Sequence, residues 1–338
     1  MRKQIIYTVG VISLITFFFT SCNKTIGYQY HSGTAEGTTF HIKYQYNKDL
    51  SRQIDSLLDH FENILSTYRD SSLISRFNYL QKDTFIFHNK LFAQMLNKAF
   101  EVYKNTNGSF DITVAPLVNA WGFGFDTLPQ LDSMVIDSIL QFVGMQKLSF
   151  VGDTMLIKQD KRIQIDGNAI AKGQSVDYIS HYFDSLGIKN YLVEIGGELR
   201  TKGKNPKGEK WIIGIDKPID GSTEWNRTIE NRLYLSGKAI ATSGNYRKFY
   251  IKNGKKYSHT INPHTGYTVS HNLLSASVIT DDCITADAYA TAFMVMGTNK
   301  TIEWLKNHKN LLEVLLIYNR GDKEHIWTSP EFNKRLIK

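Results

Sequence analysis

The chain has 338 residues, a formal net charge of +8 at neutral pH and only two cysteines. This length can bury one large core or two modest ones, so folding requires neither a disulfide framework nor a structural metal. The basic residues are scattered, apart from small clusters at 202–210 and 252–256. We therefore interpret the charge as solvated surface with a mild attraction for anionic ligands or lipid head groups, and we expect no nucleic-acid partner.

The N-terminus has the layout of a bacterial secretory signal. Two basic residues precede an apolar run, Ile5 to Phe19, which is shorter than the roughly 20 residues of a permanent membrane span. The run ends in Thr20-Ser21-Cys22, which resembles a lipobox with Phe19 in place of the usual aliphatic residue. The sequence thus predicts a signal peptide over 1–22, an acyl anchor such as palmitate on Cys22, a tether over 23–30 and a folded body over 31–338.

The body predicts helices and short strands in mixed order. Apolar residues recur at helical spacing over 50–65 and again over 90–104, where Gly108 suits a helix stop. Further helices are predicted over 171–186 and 284–296. Strands are predicted at Leu148–Val151, Met155–Ile157, Ile163–Ile165, Tyr191–Ile195, Trp211–Ile215, Arg227–Leu235, Arg247–Ile251 and Leu312–Tyr318. This order is typical of an α+β (mixed α/β) domain with mixed sheets flanked by helices.

A candidate anion site lies at residues 165–177, IDGNAIAKGQSVD. The segment leaves a predicted strand, turns at Gly167 and enters a helix whose first turns contain Lys172. Backbone N–H groups at a helix start, together with a lysine, favour an anionic group such as a pyrophosphate. A plain strand-to-helix turn capped by Asp166 remains the alternative, because the GxxxxGK[ST] frame of a P-loop is absent.

A candidate metal site lies at residues 285–297, TADAYATAFMVMG. Asp287 and Thr291 are four positions apart and therefore share one face of the predicted helix. Carboxylate, hydroxyl and carbonyl oxygens are the ligands that Mg²⁺ prefers. The alternative is a buried helix in which Asp287 is paired with a backbone donor.

Two further segments combine side chains that could carry chemistry. Residues 239–266 place Ser243–Arg247 at a predicted strand edge and His259 in a strand before the NPHTG turn. Arginine and histidine could contact phosphates or transfer a proton, although a lone histidine is as often structural. Residues 108–125 place aromatic rings among glycines, which suits a planar heterocycle or an ordinary core. Those rings are Phe110, Trp121, Phe123 and Phe125.

The motifs exclude several enzyme classes and resemble one family. No GxSxG, HExxH, CxxC or early GxGxxG pattern is present. Eight motifs in order resemble the ApbE family, the FAD:protein FMN transferases once described as thiamine-biosynthesis lipoproteins. They are EGTTF (36–40), LSTYRDSSLISRFN (65–78), GSFDIT with PLVNAWGFG (108–124), DGNAIAKG (166–173), LVEIGGELR (192–200), AIATSGNYR (239–247), YSHTINPHTG (257–266) and ADAYATAFMVMG (286–297).

The resemblance implies an ApbE/T-fold-like domain, a single large two-lobed globule, that moves the FMN half of FAD to a threonine hydroxyl of a flavoprotein and releases AMP. The implied contacts to FAD are Glu36, Tyr68, Ala120, Trp121, Gly122, Asp166, Lys172 and Ile261. The implied ligands of Mg²⁺ are the Ala169 carbonyl, Asp287 and Thr291. We take His259 as the candidate general base, with Asp287 as its competitor. The chain departs from the family pattern at Glu36, where methionine is usual, and at Gln174, Asn262 and His264.

Two functions other than FMN transfer remain possible for a chain with this resemblance. One is a Mg²⁺-dependent FAD pyrophosphatase that yields AMP and free FMN, and the other is a flavin-binding lipoprotein without catalysis. The resemblance implies an exported acceptor, such as a subunit of a sodium-pumping NADH:quinone reductase or an Rnf-type complex. Because Asn23 and Lys24 form no acidic surface-export tag, we expect a periplasm-facing anchor in the inner membrane.

Overall fold

The structure is a computed structural model that describes residues 26–124, 131–222, 226–309 and 311–337, without the side chain of Lys255. The predicted signal peptide, the lipidation site Cys22 and Phe125 lie outside the described residues. The strands are β1 (Tyr28–Ala35), β2 (Thr38–Gln45), β3 (Thr84–Ile86), β4 (Leu148–Val151), β5 (Met155–Lys158), β6 (Tyr191–Ile195), β7 (Glu198–Lys202), β8 (Trp211–Asp216), β9 (Ile229–Leu235), β10 (Ala239–Gly244), β11 (Phe249–Lys252), β12 (Lys255–Ser258), β13 (Leu273–Thr280), β14 (Glu313–Arg320) and β15 (Lys323–Thr328).

The helices are α1 (Ser51–Leu65), α2 (Leu73–Asn78), α3 (Lys90–Asn105), α4 (Ala115–Ala120), α5 (Ser133–Leu140), α6 (Ala171–Ser185), α7 (Cys283–Asn307) and α8 (Pro330–Asn333). Short 3₁₀ turns cover Ile112–Val114 and Met145–Lys147. Among the helices of the described residues, none is both long and apolar enough to cross a membrane. The α+β fold class predicted from the sequence is confirmed.

An eight-stranded sheet organises the domain. Its order is β1-β2-β6-β7-β10-β13-β14-β15, and every neighbouring pair is antiparallel. Three small sheets accompany it: β3-β5-β4, the β8-β9 pair and the β11-β12 hairpin. The β1-β2 and β6-β7 turns therefore lie at the same end of the large sheet, because β2 pairs directly with β6.

Both faces of the large sheet are covered. Alternating residues of its central strands point to opposite sides, as the pleat of a strand requires. Val278 packs with α7 and α3 on one side, whereas Ile279 packs with β8, β9 and α8 on the other. The strand β13, LLSASVIT, is consequently buried almost throughout, which is typical of a sheet enclosed between two layers.

Small residues let α6 and α7 approach closely beneath the sheet. A side chain added at Gly173 would place its Cβ 2.4 Å from the Cys283 carbonyl oxygen and 2.8 Å from the Asp287 Cβ. No residue larger than glycine fits this contact without displacing α7. The helix α7 breaks at Gly297, where φ is +75°, in agreement with the predicted helix over 284–296. The close contact brings the first turns of both helices together.

Three local expectations differ from the structure. Residues Ile163–Ile165 form no strand, because the Asn78 side chain binds the Ile165 backbone on both sides, at 2.8 and 2.9 Å, in place of a strand partner. His259 lies in a bend after β12 and not within a strand. Strand β1 begins at Tyr28, so the last three residues of the predicted tether belong to the sheet.

Candidate active site

The site is assembled at the end of the large sheet that carries the β1-β2 and β6-β7 turns. The stem of Lys172, from the first turn of α6, lies across Gly196 in the β6-β7 turn. A Cβ added at Gly196 would be 3.1 Å from Lys172 Cδ and 2.9 Å from Thr38 Cγ2, and the φ of +63° there also favours glycine. The two turns therefore bracket the lysine and set the direction of its side chain.

An ion pair between Lys172 and Glu198 is at the centre of the site. Lys172 Nζ donates to Glu198 Oε1 at 2.6 Å, and the Glu198 side chain is only 4% exposed, against 30% for Lys172. Burial alone would lower the pKa of Lys172, but the carboxylates of Glu198 and Asp287 outweigh it and raise that pKa. The ammonium therefore stays charged, and it makes no second hydrogen bond to a described residue. Two of its three N–H donors are left for a ligand.

Asp287 faces the same lysine from α7. Its side chain is buried, and its Oδ2 accepts from the Gly173 N–H at 2.9 Å. Burial raises the pKa of Asp287 to about 7, although the Lys172 ammonium and the Gly173 N–H both act to lower it. One oxygen thus has the backbone donor that we considered from sequence, while Oδ1 has no partner in the described part of the chain. Asp287 can therefore accept a cation or a proton.

Thr291 lies one turn further along α7 and extends this oxygen-rich face. Its hydroxyl lies 3.2 Å from the Ser243 hydroxyl at the end of β10. Within the described ranges, no group of three or more histidine, cysteine, aspartate or glutamate side chains could hold a metal. A metal here would need neutral oxygen ligands beside one carboxylate. The predicted set of Ala169 carbonyl, Asp287 and Thr291 supplies that combination, which suits Mg²⁺ with water and phosphate completing its shell.

The turn that leads into α6 adds two more predicted residues. Asp166 Oδ1 accepts from the Asn168 N–H at 2.8 Å, and burial raises the pKa of Asp166. Asp166 does not cap α6, whose start at Ile170 has no side-chain cap. Burial raises the pKa of the Tyr68 phenol, and the nearby Asp166 carboxylate raises it further. The residue as a whole is 62% exposed. Tyr68 therefore lies at the surface beside this turn, where its phenol also hydrogen bonds with Asn168.

The aromatic segment meets the β11-β12 hairpin. Trp121 Nε1 donates to the Gly266 carbonyl at 2.7 Å, and its ring centroid lies 5.6 Å from that of Tyr257. The chain turns at Gly122, where φ is +79°. Ile261 is buried in a small core that Trp121 also contacts. Ala120 and Gly122 flank Trp121 in the chain. An aromatic wall lies beside His259 and consists of Trp121, Phe123, Tyr250 and Tyr257.

The geometry of His259 suits a proton acceptor. The ring Nδ1 lies 3.1 Å from the Lys248 carbonyl oxygen, so Nδ1 carries the hydrogen and Nε2 keeps a lone pair. Burial, assisted by the charges of Lys248 and Lys172, lowers the pKa of His259 to about 4, although the hydrogen bond to the Lys248 carbonyl acts to raise it. The imidazole is therefore neutral at pH 7. Lys172 is close enough for its charge to lower the pKa of His259, so the imidazole lies near the Lys172–Glu198 ion pair.

Glu36 does not extend from the β1-β2 turn but points inward. Its backbone has a φ of +53°, and its N–H donates to Glu62 Oε1 at 2.5 Å. Arg69 in turn binds the other oxygen of Glu62. Burial raises the pKa of Glu36 to about 8, although the Ser175 hydroxyl and the Lys172 charge both act to lower it. The Glu36 Oε1 atom is buried without a hydrogen-bond partner among the described residues. The side chain lies beside Lys172 and Ser175.

The structure brings most of the predicted residues to one end of the sheet. The sequence analysis missed Glu198 and Ser175 as members of this group, whereas it had placed Ser243 at a strand edge that could carry chemistry. Glu198 could have been suspected, because an acidic residue directly after the Gly-Gly turn of LVEIGGELR is an unusual choice for a strand start. The role of Ser175 had no local signal, since its contact with Glu36 joins a helix to a distant turn.

Fold and site together define an α+β protein whose buried lysine–carboxylate pair, oxygen-rich helix face and aromatic wall suit a phosphate-containing aromatic substrate. The chain belongs to the ApbE family, whose family model matches residues 37–316. It is 35% identical to the FAD:protein FMN transferase of Vibrio cholerae, over 98% of this chain and 99% of that protein. The Escherichia coli K12 protein of the same name is 33% identical over 86% of this chain and 82% of its own length.

Solved structures agree with this assignment. The flavin transferase ApbE from Vibrio cholerae superposes with a TM-score of 0.81, covering 91% of this chain and 99% of that chain. The apo flavinyl transferase ApbE of Pseudomonas stutzeri is 29% identical, with a TM-score of 0.80 over 91% of this chain and 96% of that chain. The shared fold therefore extends over nearly all of the described residues.

Proposed function

We propose that this chain is an FAD:protein FMN transferase, which transfers the FMN half of FAD to a threonine hydroxyl of an acceptor flavoprotein and releases AMP. The observation that carries the proposal is the charged Lys172, held by Glu198 beside the Asp287–Thr291 face, with two N–H donors open to a ligand. Relatives with the same activity in their names match the chain over most of its length.

The residues at this end of the sheet suit the breakage of a pyrophosphate bond. Transfer of a phosphoryl-type group depends chiefly on positioning and on neutralising charge at the phosphate oxygens. The Lys172 ammonium supplies one positive charge with a fixed direction. A Mg²⁺ ion held by the Ala169 carbonyl, Asp287 and Thr291 would supply further charge neutralisation at the phosphate. Tyr68, Asp166, Trp121, Gly122 and Ile261 would contact the dinucleotide on the open side of the site.

His259 is the better of the two candidate bases. Its neutral imidazole has a free lone pair on Nε2, and its tautomer is set by the Lys248 carbonyl. A pKa near 4 makes its imidazole a weak base, but a bound pyrophosphate dianion would raise that pKa toward neutrality. Asp287 has one oxygen bonded to Gly173, and binding a metal would occupy the other. The proton of the acceptor threonine is therefore assigned to His259.

The N-terminal sequence supports a location for this activity. The signal layout and Cys22 indicate an exported, lipid-anchored protein that faces the periplasm from the inner membrane. The acceptor protein must then be exposed in the same compartment. Subunits of sodium-pumping NADH:quinone reductases or Rnf-type complexes are suitable candidates. Growth with labelled palmitate, compared between the native chain and Cys22→Ser, tests the anchor; equal labelling of both would contradict it.

The activity is tested directly with residues 23–338, FAD, MgCl₂ and a soluble acceptor domain. Transfer predicts in-gel flavin fluorescence on the acceptor together with one AMP for each flavin attached. An acceptor whose target threonine is replaced by valine is the matched control and should stay unlabelled. AMP with free FMN and no labelled acceptor would instead identify a pyrophosphatase. Retention of intact FAD would identify a flavin-binding protein without catalysis.

A further inference from the structure

The chain enters the folded body at the end of the large sheet that is opposite the candidate active site. The Gln45 side-chain amide, at the end of β2, donates to the Ile26 carbonyl at 2.7 Å. The Tyr28 hydroxyl donates to the Lys204 carbonyl. Ile26 is only four positions after Cys22. Four residues reach at most about 14 Å, so a lipid on Cys22 would hold this end of the sheet close to a membrane.

Three loops carry exposed lysines around this entry point. They are 46–50, 187–190 and 203–210, and hydrogen bonds join them: the Gln45 N–H donates to the Asn190 carbonyl at 2.9 Å, and the Lys204 N–H donates to Asn190 Oδ1 at 2.8 Å. We call the five exposed lysines of these loops the basic rim. The basic rim consists of Lys48, Lys189, Lys204, Lys207 and Lys210.

The basic rim has an excess of positive charge. Its five lysines share these loops with two exposed carboxylates, Asp49 and Glu209, which leaves a net charge of +3. None of the five lysines forms an ion pair with any residue in the described ranges. Nearby Lys202, in contrast, is paired with Asp184 at 2.7 Å. The charge of the basic rim is therefore available to an external anionic partner.

The largest rim loop has a fixed shape. Asn205 Oδ1 accepts from the backbone N–H groups of Lys207, at 2.9 Å, and Glu209, at 3.1 Å. The Asn205 N–H closes the loop by donating to the Glu209 carbonyl at 2.8 Å. Because the backbone is already ordered, little conformational entropy is lost when these lysines meet a surface.

Exposed apolar groups accompany the charge. Ile26 is 48% exposed at the entry point, and Tyr30, further along β1, is 60% exposed. Tyrosine and aliphatic side chains next to lysines are typical of protein surfaces at the head-group level of a bilayer. Charge, apolar groups and the chain entry point thus share one end of the domain.

The catalytic residues lie at the other end of the same strands. Strand β2 runs from Thr38, which lies beside Gly196 and Lys172, to Gln45 at the basic rim. Its length corresponds to about 23 Å at the rise of an extended strand. At the far end, in contrast, the Lys172 ammonium is paired with Glu198.

We propose that the basic rim rests on an anionic phospholipid surface and that the candidate active site faces away from that surface. This inference rests on the proposed lipid-anchored location, and it adds a surface contact that is independent of the lipid itself. The anionic head groups bind the five lysines, Ile26 lies at the same level, and the site stands clear of the bilayer to meet an acceptor domain that projects from it.

The test uses residues 23–338, which lack Cys22 and contain every helix and strand described. All four clusters of the hydrophobic core lie within these residues. Sedimentation with vesicles of phosphatidylglycerol and phosphatidylcholine should detect binding that disappears in 0.5 M NaCl and with phosphatidylcholine alone. Each lysine near an anionic surface contributes roughly fivefold to binding, so Lys204→Glu with Lys207→Glu and Lys210→Glu should lower it on the order of a hundredfold or more.

A matched triple variant tests whether vesicle binding depends on the lysines of the basic rim or only on the net charge of the protein. Lys300→Glu with Lys306→Glu and Lys309→Glu makes the same charge change on and after α7, outside the rim loops. It should keep most of the vesicle binding. Equal losses in both triple variants, or binding that ignores lipid charge, would overturn the proposal. Both variants should still transfer FMN to a soluble acceptor without vesicles, so a failure of the proposed function would be seen separately as no transfer by the native sequence.

The orientation has its own readout. In residues 23–338 the only thiol is the buried Cys283, so a single introduced cysteine can be labelled. An environment-sensitive dye on Lys207→Cys should report a less polar surrounding when phosphatidylglycerol vesicles are added. The same dye on Lys252→Cys, in the β11-β12 hairpin beside the site, should not change. A larger response at Lys252→Cys would refute the orientation.

Discussion

Glu198 holds the Lys172 ammonium by a single hydrogen bond of 2.6 Å and keeps its second oxygen, Oε2, buried without a partner among the described residues. The Lys172 side chain is therefore fixed in direction, and its ammonium still has hydrogen-bond donors available. An ammonium that is already neutralised on all sides would contribute little to a bound phosphate, whereas this one presents two further donors. The pair combines a positioned charge with free binding capacity.

Removing the Glu198 charge should weaken catalysis more than substrate binding. In Glu198→Gln the ammonium loses its charged partner, so its position becomes less defined and its pKa falls. We expect kcat of FMN transfer to fall roughly 10- to 100-fold, with a smaller change in the KM for FAD. The alkaline limb of the pH profile should also move to lower pH. Glu209→Gln changes an exposed carboxylate in the loop between β7 and β8, at the opposite end of the sheet, and is the control that should leave both measurements unchanged. An unshifted pH profile for Glu198→Gln would contradict this role.

Gly196 should be required for the direction of the Lys172 stem. Gly196→Ala introduces a Cβ against Lys172 and Thr38 in addition to strain at positive φ. We expect a loss of about 1–3 kcal/mol in the free energy of unfolding and a higher KM for FAD. Gly237→Ala controls for strain alone, because φ there is +69° with no atom within 4 Å. Urea unfolding measures the change in stability, and steady-state kinetics measure the KM for FAD. A KM change of equal size in both variants would argue against a specific effect of Gly196 on the Lys172 side chain.

Glu36 should make the stability of the protein fall as the pH rises. Its folded pKa of about 8 lies above the ordinary value of 4.5, so between these values the folded state binds more protons than the unfolded state. Its unfavourable contribution grows as pH rises from about 4.5 to 8 and is complete above that. Glu36→Gln should therefore match the native protein at pH 4.5 and exceed it by about 1–3 kcal/mol at pH 8. Melting temperatures of both metal-free proteins are measured across this pH range. A difference between the two proteins that does not change with pH would disprove the prediction.

His259 should affect both rate and acid stability. Loss of a general base is expected to lower single-turnover FMN transfer by about 10²- to 10⁴-fold in His259→Gln. The lowered pKa of about 4 means that the unfolded state binds more protons below pH 6.5, so the native protein loses stability as pH falls from there to about 4. The variant should consequently be the more stable protein near pH 4.5, by about 1–2 kcal/mol. His88→Gln, an exposed histidine just before α3, should leave FMN transfer unchanged. Unchanged transfer by His259→Gln would remove its assigned role.

Asp287 should control the affinity for Mg²⁺. Asp287→Asn preserves the shape of the side chain and can keep an oxygen toward the Gly173 N–H, but it removes the only carboxylate of the predicted ligand set. We expect calorimetric Mg²⁺ binding in the presence of FAD to weaken at least tenfold, while the melting temperature at pH 8 stays the same or rises. The exposed Asp281, just before α7, provides the control Asp281→Asn. Equal Mg²⁺ affinity in the two variants would exclude Asp287 as a ligand.

Periodicity and local motifs were sufficient for several elements. The apolar stripes of α1 and α3 and the start of α6 were predicted to within a residue or two, because helical spacing is a property of adjacent turns. The motif order also predicts Lys172, Asp287 and Thr291 as site residues. These features depend on residues close in sequence, which is why the chain reveals them without its fold.

Only the tertiary structure decided which distant segments meet. Strands β10 and β13 pair across about thirty residues, and their burial on both faces results from layers contributed by α7 and by β8 and β9. Ile163–Ile165 looked like a strand but is bound by the Asn78 side chain instead. The Lys172–Glu198 pair, the inward turn of Glu36 and the separation of the basic rim from the site all follow from the order of strands in the sheet. Strand pairing is set by side chains far apart along the chain, so no local pattern could have determined it.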